Sequence, residues 1–211
     1  MTIKPILFNT EMVRAILDGR KTCTRRTLKH PFIVHPNGYI TKPRGNENLC
    51  PYDPPYEPGD ILYVRESFYE DDNCVLFRAD NEKLTGYRSM SGEDVTVKWR
   101  PSSYMPKDIA RIWIKVTDVR VERLQEITEE QACMEGTDPW DEVCYENNGW
   151  RPTFSDPDSG GDPNMVDGFH KLWNSTIKKS DLDRYGWDAN PWVWVIEFER
   201  CKKPEEDKRC D

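Results

Sequence analysis

Seven prolines fall between residues 31 and 58, at positions 31, 36, 43, 51, 54, 55 and 58. Each lacks the amide hydrogen that a helix or a sheet ladder uses and fixes its own φ. We therefore expect a long loop here, with no extended regular element. The core must come from short segments on either side. The most apolar run, Trp192-Val193-Trp194-Val195-Ile196, is five residues long, far short of the ~20 that a membrane-spanning helix needs.

Those short segments alternate in type. Ile6-Leu7-Phe8 reads as a strand running into Asn9-Thr10, a helix cap, after which Met12, Val13, Ile16 and Leu17 recur at helical spacing and Gly19 stops the helix. Strands are expected at Ile61 to Phe68, Val75 to Phe77, Val95 to Val97, and Trp192 to Phe198. Ile112 to Arg123 reads as paired strands or one bent strand. Thr128-Glu129-Glu130-Gln131 has capping-box spacing and Gly136 closes the helix that follows, placing Glu135 in its last turn. Met165, Phe169, Leu172 and Trp173 mark another amphipathic helix. With no internal repeat and 211 residues, the pattern predicts one α+β domain over 1–211, carrying loop insertions near 31–58, 69–110 and 137–164.

The formal charge is -8, which argues against indiscriminate coating of nucleic acid. The distribution is uneven, however. Arg20, Lys21, Arg25, Arg26 and Lys29 cluster within ten residues that hold no acid, whereas residues 126–147 hold many acids and no Lys or Arg. A polyanion has one restricted patch to dock on. Seven cysteines form no C-x-x-C pair, and the N-terminus lacks the apolar segment of a signal peptide, so we expect a soluble cytoplasmic protein. The three histidines are scattered and give no ligand spacing with the cysteines; neither metal nor cofactor is expected. Cys23, a thiol among cations, reads as a spacer whose surroundings favour thiolate.

Gly19-Arg20-Lys21 with Arg26 fits the G-x-K-x-x-x-x-R motif of ASCH domains, although those domains often carry Glu where this chain has Thr24. The likeness extends to Gly59-Asp60 opening a strand, to Thr128-Glu129-x-x-Ala132-x-x-Glu135, and to the closing Val195-Ile196-Glu197-Phe198. Together these resemble the small bacterial ASCH enzymes that hydrolyse N4-acetylcytidine. The stretches Tyr63-Val64-Arg65-Glu66 and Trp99-Arg100-Pro101-Ser102 are similar to longer ASCH proteins of phage and prophage. The resemblance implies a PUA-like β-barrel flanked by short helices, and a catalytic Lys, Thr and Glu that match Lys21, Thr24 and Glu135.

Removing an acetyl group from an exocyclic amine is acyl transfer, and a threonine hydroxyl attacks only once a base takes its proton. Lys21 can be that base if desolvation and Arg20, Arg25 and Arg26 lower its pKa. Three residues of spacing bring Lys21 and Thr24 together on a helical turn or tight loop, and the turn after Gly19 offers one. Glu135 would orient the amine or return a proton, and Arg26 would stabilise an oxyanion. Arg20, Arg25, Arg26, Glu66 and Trp99 are the expected substrate contacts. Glu66, between Arg65 and Ser67, reads first as an ion-pair partner. Trp99, Tyr104 and Trp113 are candidates to stack on a base.

Three functions follow: an amidohydrolase acting on an N4-acetylcytidine-like nucleoside, a PUA-like RNA-binding module using the same basic patch, or an ASCH-type ribonuclease. The expected partner is accordingly a modified nucleoside or RNA, with no membrane.

Overall fold

The computed structural model describes residues 2–29, 31–36, 39–44, 48–72, 74–88, 92, 94–137 and 165–204. The insertion expected at 137–164 falls, beyond Thr137, outside the described residues. In chain order the strands are β1 (Ile3–Leu7), β2 (Cys23–Thr27), β3 (Ile33–Val34), β4 (Ile40–Arg44), β5 (Asn48–Pro51), β6 (Ile61–Arg65), β7 (Phe68–Glu70), β8 (Val75–Phe77), β9 (Gly86–Arg88), β10 (Asp94–Thr96), β11 (Trp113–Arg123) and β12 (Trp192–Cys201). The α-helices are α1 (Thr10–Leu17), α2 (Glu129–Met134), α3 (Met165–Thr176) and α4 (Leu182–Tyr185). The architecture is α+β, mostly strands with few helices, and among the described residues no sheet closes into a barrel. No described helix is long and apolar enough to cross a membrane.

Two compact units form, each from separate stretches of chain: the first from Met1–Gly19, Pro58–Thr117 and Phe198–Asp211, the second from Arg20–Glu57 and Asp118–Glu197.

In the first unit β1 runs parallel to β6, with Ile3 opposite Ile61 and Leu7 opposite Arg65. Asp60, buried just before β6, ties the two together by accepting from the Thr2 amide at 3.1 Å and the Lys4 amine at 2.7 Å. Helix α1 starts as expected, because the Asn9 side chain accepts from the Met12 amide at 2.8 Å and so satisfies one of the amides left open at a helix start. It buries Val13, Ala15 and Ile16 and ends at Gly19, whose φ of 77° needs glycine. The strand expected over 61–68 is two, β6 and β7. The ladder breaks where Glu66 turns inward and its amide donates to the Met105 sulfur at 3.2 Å. Ile61, Phe68, Met105, Ala110 and Trp113 close a core there. Where an insertion is expected at 69–110, β7 pairs antiparallel with β8 and β9 with β10.

In the second unit β2 pairs antiparallel with β12, setting Thr24 opposite Ile196 and Arg26 opposite Trp194. Side chains alternate across a strand. One face of the pair presents Cys23, Val193 and Val195 to Ala132 of α2 and to Phe169 and Trp173 of α3, all buried in one cluster. Full burial of a Val or Phe side chain such as these contributes about 1.5–3 kcal/mol.

The proline-rich stretch is not a loop throughout. Strands β3, β4 and β5 pair as an antiparallel sheet in that order. Its prolines fit because of where they stand. Among the described residues β3 pairs only with Ile40 and Thr41, so Pro43 has a described ladder neighbour on the β5 side alone, and Pro51 ends an edge strand paired only to β4. Among the described strands each proline thus has an open side on which no partner calls for its amide.

Candidate active site

The expected turn after Gly19 does not carry the basic segment, which becomes extended at once. Lys21 forms a single antiparallel bridge with Glu135, and β2 follows from Cys23. The reason lies in the end of α2, whose last carbonyls have no intrahelical partner. The Thr22 amide donates to the Met134 carbonyl at 2.8 Å, the Lys21 amine to the Glu135 carbonyl at 2.9 Å, and Arg20 Nη1 to the Gly136 carbonyl at 3.0 Å. Three successive residues thus satisfy three successive carbonyls. Thr128 starts this short helix as expected, accepting from the Gln131 amide while Gln131 returns to the Thr128 amide.

The same register brings Lys21 Nζ to 2.6 Å from Glu135 Oε2. The other carboxylate oxygen, Oε1, accepts from Arg25 Nη1 at 3.2 Å. Arg25 Nη2 reaches Gln131 Oε1 at 2.8 Å and Glu122 Oε2 at 3.5 Å. The Lys21 and Arg25 side chains are both 0% exposed, and that of Glu135 is 3% exposed. The Arg25 Nε is buried with no hydrogen-bond partner among the described residues. Burial pushes the Lys21 amine below the ordinary lysine range, and the nearby Glu135 carboxylate only partly opposes it. A lowered pKa beside a carboxylate suits an amine to accepting and returning protons.

Cys23 corrects the expectation from its cationic neighbours. Burial, then the Glu135 charge, push its thiol up to about 12, so it stays protonated and packs as a small apolar side chain.

Thr24 is buried. Alternation along β2 turns it to the face opposite Cys23 and Arg25, so the helical turn expected to converge Lys21 with Thr24 is replaced by a strand. It shares that face with half-buried Arg26, whose cross-strand neighbour is Trp194. Trp194 meets Tyr52 with ring centroids 6.3 Å apart, and Tyr52 stacks on Phe32 at 6.3 Å. These aromatic residues were not singled out from the sequence. The period-two pattern of Trp192-Val193-Trp194 pairs Trp194 with the basic strand only once the register is known.

Glu66, Trp99, Tyr104 and Trp113 belong to the first unit, whereas Lys21, Thr24, Arg25, Arg26 and Glu135 belong to the second. Glu66 is buried, and both its oxygens accept from Arg111, at 2.8 and 3.0 Å. That is the ion-pair role its neighbours in sequence indicated. Trp113 is a core residue whose indole donates to the Ala110 carbonyl, Trp99 is half-buried and Tyr104 is exposed. Of the five clustered cations, Lys21 and Arg25 are buried, while Arg20 and Lys29 are exposed. Comparison with family models, with curated proteins and with solved structures finds no match to this chain.

Proposed function

We propose that the chain is a metal-independent amidohydrolase of the ASCH, PUA-like type that removes an acyl group from the exocyclic amine of a modified cytosine nucleoside. The observation that carries this is the buried contact between the Lys21 amine and the Glu135 carboxylate, two residues 114 apart in sequence that the motif resemblance had selected. The PUA-like barrel implied by the resemblance is part of the same proposal.

The chemistry assigns one role to each group. The Lys21 amine takes the proton of the Thr24 hydroxyl through an intervening water, because β2 turns Thr24 to the face opposite Arg25, and the Thr24 oxygen bonds to the acyl carbon. Collapse of the tetrahedral adduct breaks the carbon–nitrogen bond, and the Lys21 ammonium gives its proton to the departing amine. Water then cleaves the Thr24 ester with Lys21 again as base. Arg26, on the same face of β2 as Thr24, is the cation for the developing oxyanion.

The burial of Lys21 and Arg25 favours this over RNA binding, since two of the five clustered cations face a carboxylate instead of solvent phosphates. Incubation with N4-acetylcytidine should release cytidine, and Lys21→Ala should abolish the release. A wild-type rate no faster than the buffer blank rejects the proposal. A labelled RNA substrate on the same preparation tests for nuclease activity.

A further inference from the structure

The substrate-contact role expected for Arg25 does not fit a guanidinium whose two terminal nitrogens are both taken up by protein partners. Its fork instead spans three partners, Glu135, Gln131 and Glu122, drawn from α2, the residue after it, and β11. Gln131 serves twice, because its Oε1 also accepts from the Thr128 amide at 3.2 Å and so closes the capping box. The orientation of Arg25 is therefore coupled to the start of α2, and its other end fixes the residue that caps the C-terminus of that helix.

We infer that Arg25 is a positioning residue: its guanidinium holds Glu135 Oε1 and shares that carboxylate's charge, so the Lys21 amine on Oε2 meets only part of one negative charge and is kept ready to act as a base. This rests on the proposed hydrolytic role of Lys21, and it adds a second influence to the burial that lowers the Lys21 pKa.

The charge count supports it. Guanidinium stays protonated throughout the accessible pH range. Glu135 thus always has one permanent cation at 3.2 Å, and a proton on Lys21 would add a second positive charge in a space closed to water. In a desolvated site that surplus charge is disfavoured. Among the described residues the charged or titratable groups acting on Lys21 are Glu135, Cys23 and Arg26, and Arg25 acts through Glu135; Cys23 stays a neutral thiol, and Arg26 adds to the positive side. Glu122, whose side chain is 20% exposed, draws on the outer side of the Arg25 fork and so works against the hold on Glu135. A purely structural Arg25 would hold α2 against β2 without changing the protonation of Lys21.

The test is the Lys21 pKa itself, read from the chemical shift of its 13C-labelled ε-carbon during a pH titration of the full chain. It needs no substrate, so it remains decisive if the hydrolase assignment fails. Arg25→Met, which keeps length and removes the charge, should raise the Lys21 pKa by about one to three units. Arg25→Lys, which keeps a charge, should leave a smaller rise. Glu122→Gln changes a partly exposed group and spares the fold if Arg25→Met does not fold; it should lower the Lys21 pKa, because the whole fork then turns to Glu135. An unchanged Lys21 pKa in a folded Arg25→Met, or an unchanged or raised one in Glu122→Gln, overturns the inference. With activity in hand, the pH–rate profile of Arg25→Met should move to higher pH by the same amount, whereas a structural role would lower the plateau and leave the profile in place.

Discussion

The Lys21 amine donates to Glu135 twice, to the carboxylate at 2.6 Å and to the backbone carbonyl at 2.9 Å. A lysine fixed at two points has lost the rotamer freedom that a surface lysine keeps. Such fixing serves proton transfer, which needs the amine in one place, better than it serves phosphate capture. It also means that Lys21 and Glu135 report on each other: a change at either alters the charge that the other meets.

The first prediction concerns pH. Burial lowers the Lys21 pKa, so the neutral amine gains population within the working range and the rate should rise with pH to that pKa and then level off. Lys21→Arg should lose all activity while staying folded, since guanidinium does not deprotonate there. Steady-state rates from about pH 6 to 10 decide the matter. A flat profile, or an active Lys21→Arg, removes Lys21 as the base.

Thr24 provides an independent check. Thr24→Val keeps the shape and deletes the hydroxyl, and should reduce kcat by ~10³-fold or more with a cooperative thermal transition retained. Thr24→Ser should keep part of the rate, and a slow substrate should leave an acyl group on Thr24 that is visible by intact mass. An active Thr24→Val would mean that water attacks directly.

The sequence showed these site residues more clearly than it showed their geometry. Helix ends were readable because caps are local: Asn9, Gly19, Thr128 with Gln131, and Gly136 each act on an amide or carbonyl within four residues. Strand β2 was not readable. Cys-Thr-Arg-Arg-Thr has no apolar alternation, and it becomes extended because β12, far along the chain, pairs with it residue for residue, while the end of α2 takes the Thr22 amide just before it. The pairing of β3, β4 and β5 has no local signal for a related reason, since whether a proline interrupts a ladder depends on which edge has a neighbour. Arg25 was misplaced by charge alone. Its partners, Gln131 and Glu135, are positioned by a helix that the local sequence around residue 25 does not mention.

Cys23 should be inert in the folded protein. With its thiol pushed up to about 12 and the side chain buried, iodoacetamide at pH 8 should leave it unmodified while exposed Cys133 is alkylated. Peptide mass mapping before and after denaturation distinguishes the two. Alkylation of Cys23 at the rate of Cys133 would show that the strand opens readily or that the thiol is ionised.

The last prediction uses Glu66 and Arg111 in the first unit. Burial raises the Glu66 pKa above its ordinary 4.5, and the two hydrogen bonds from Arg111 hold it down. Arg111→Met removes that restraint and leaves a carboxylate that is 1% exposed facing a methionine. Breaking a buried pair in this way costs about 3–5 kcal/mol; because Arg111 is itself 27% exposed, we expect a loss at pH 7 nearer the lower end. A glutamate whose folded pKa is raised stabilises the fold most while protonated, below the unfolded pKa, and that contribution disappears as pH rises through the folded value. In Arg111→Met the folded value is higher still, so the window of lost stability widens toward neutral pH. The difference in unfolding free energy between wild type and Arg111→Met should therefore shrink as pH falls from 7 toward 4.5. The part due to the Asp80 ion pair and to the guanidinium over the Phe77 ring should persist. Adding Glu66→Gln to Arg111→Met should remove the pH dependence and recover part of the stability, because a neutral amide is then buried in place of a charge. Urea unfolding at several pH values measures all three proteins. A stability difference independent of pH would show that Glu66 is protonated throughout, and that Arg111 acts through Asp80 and Phe77 instead.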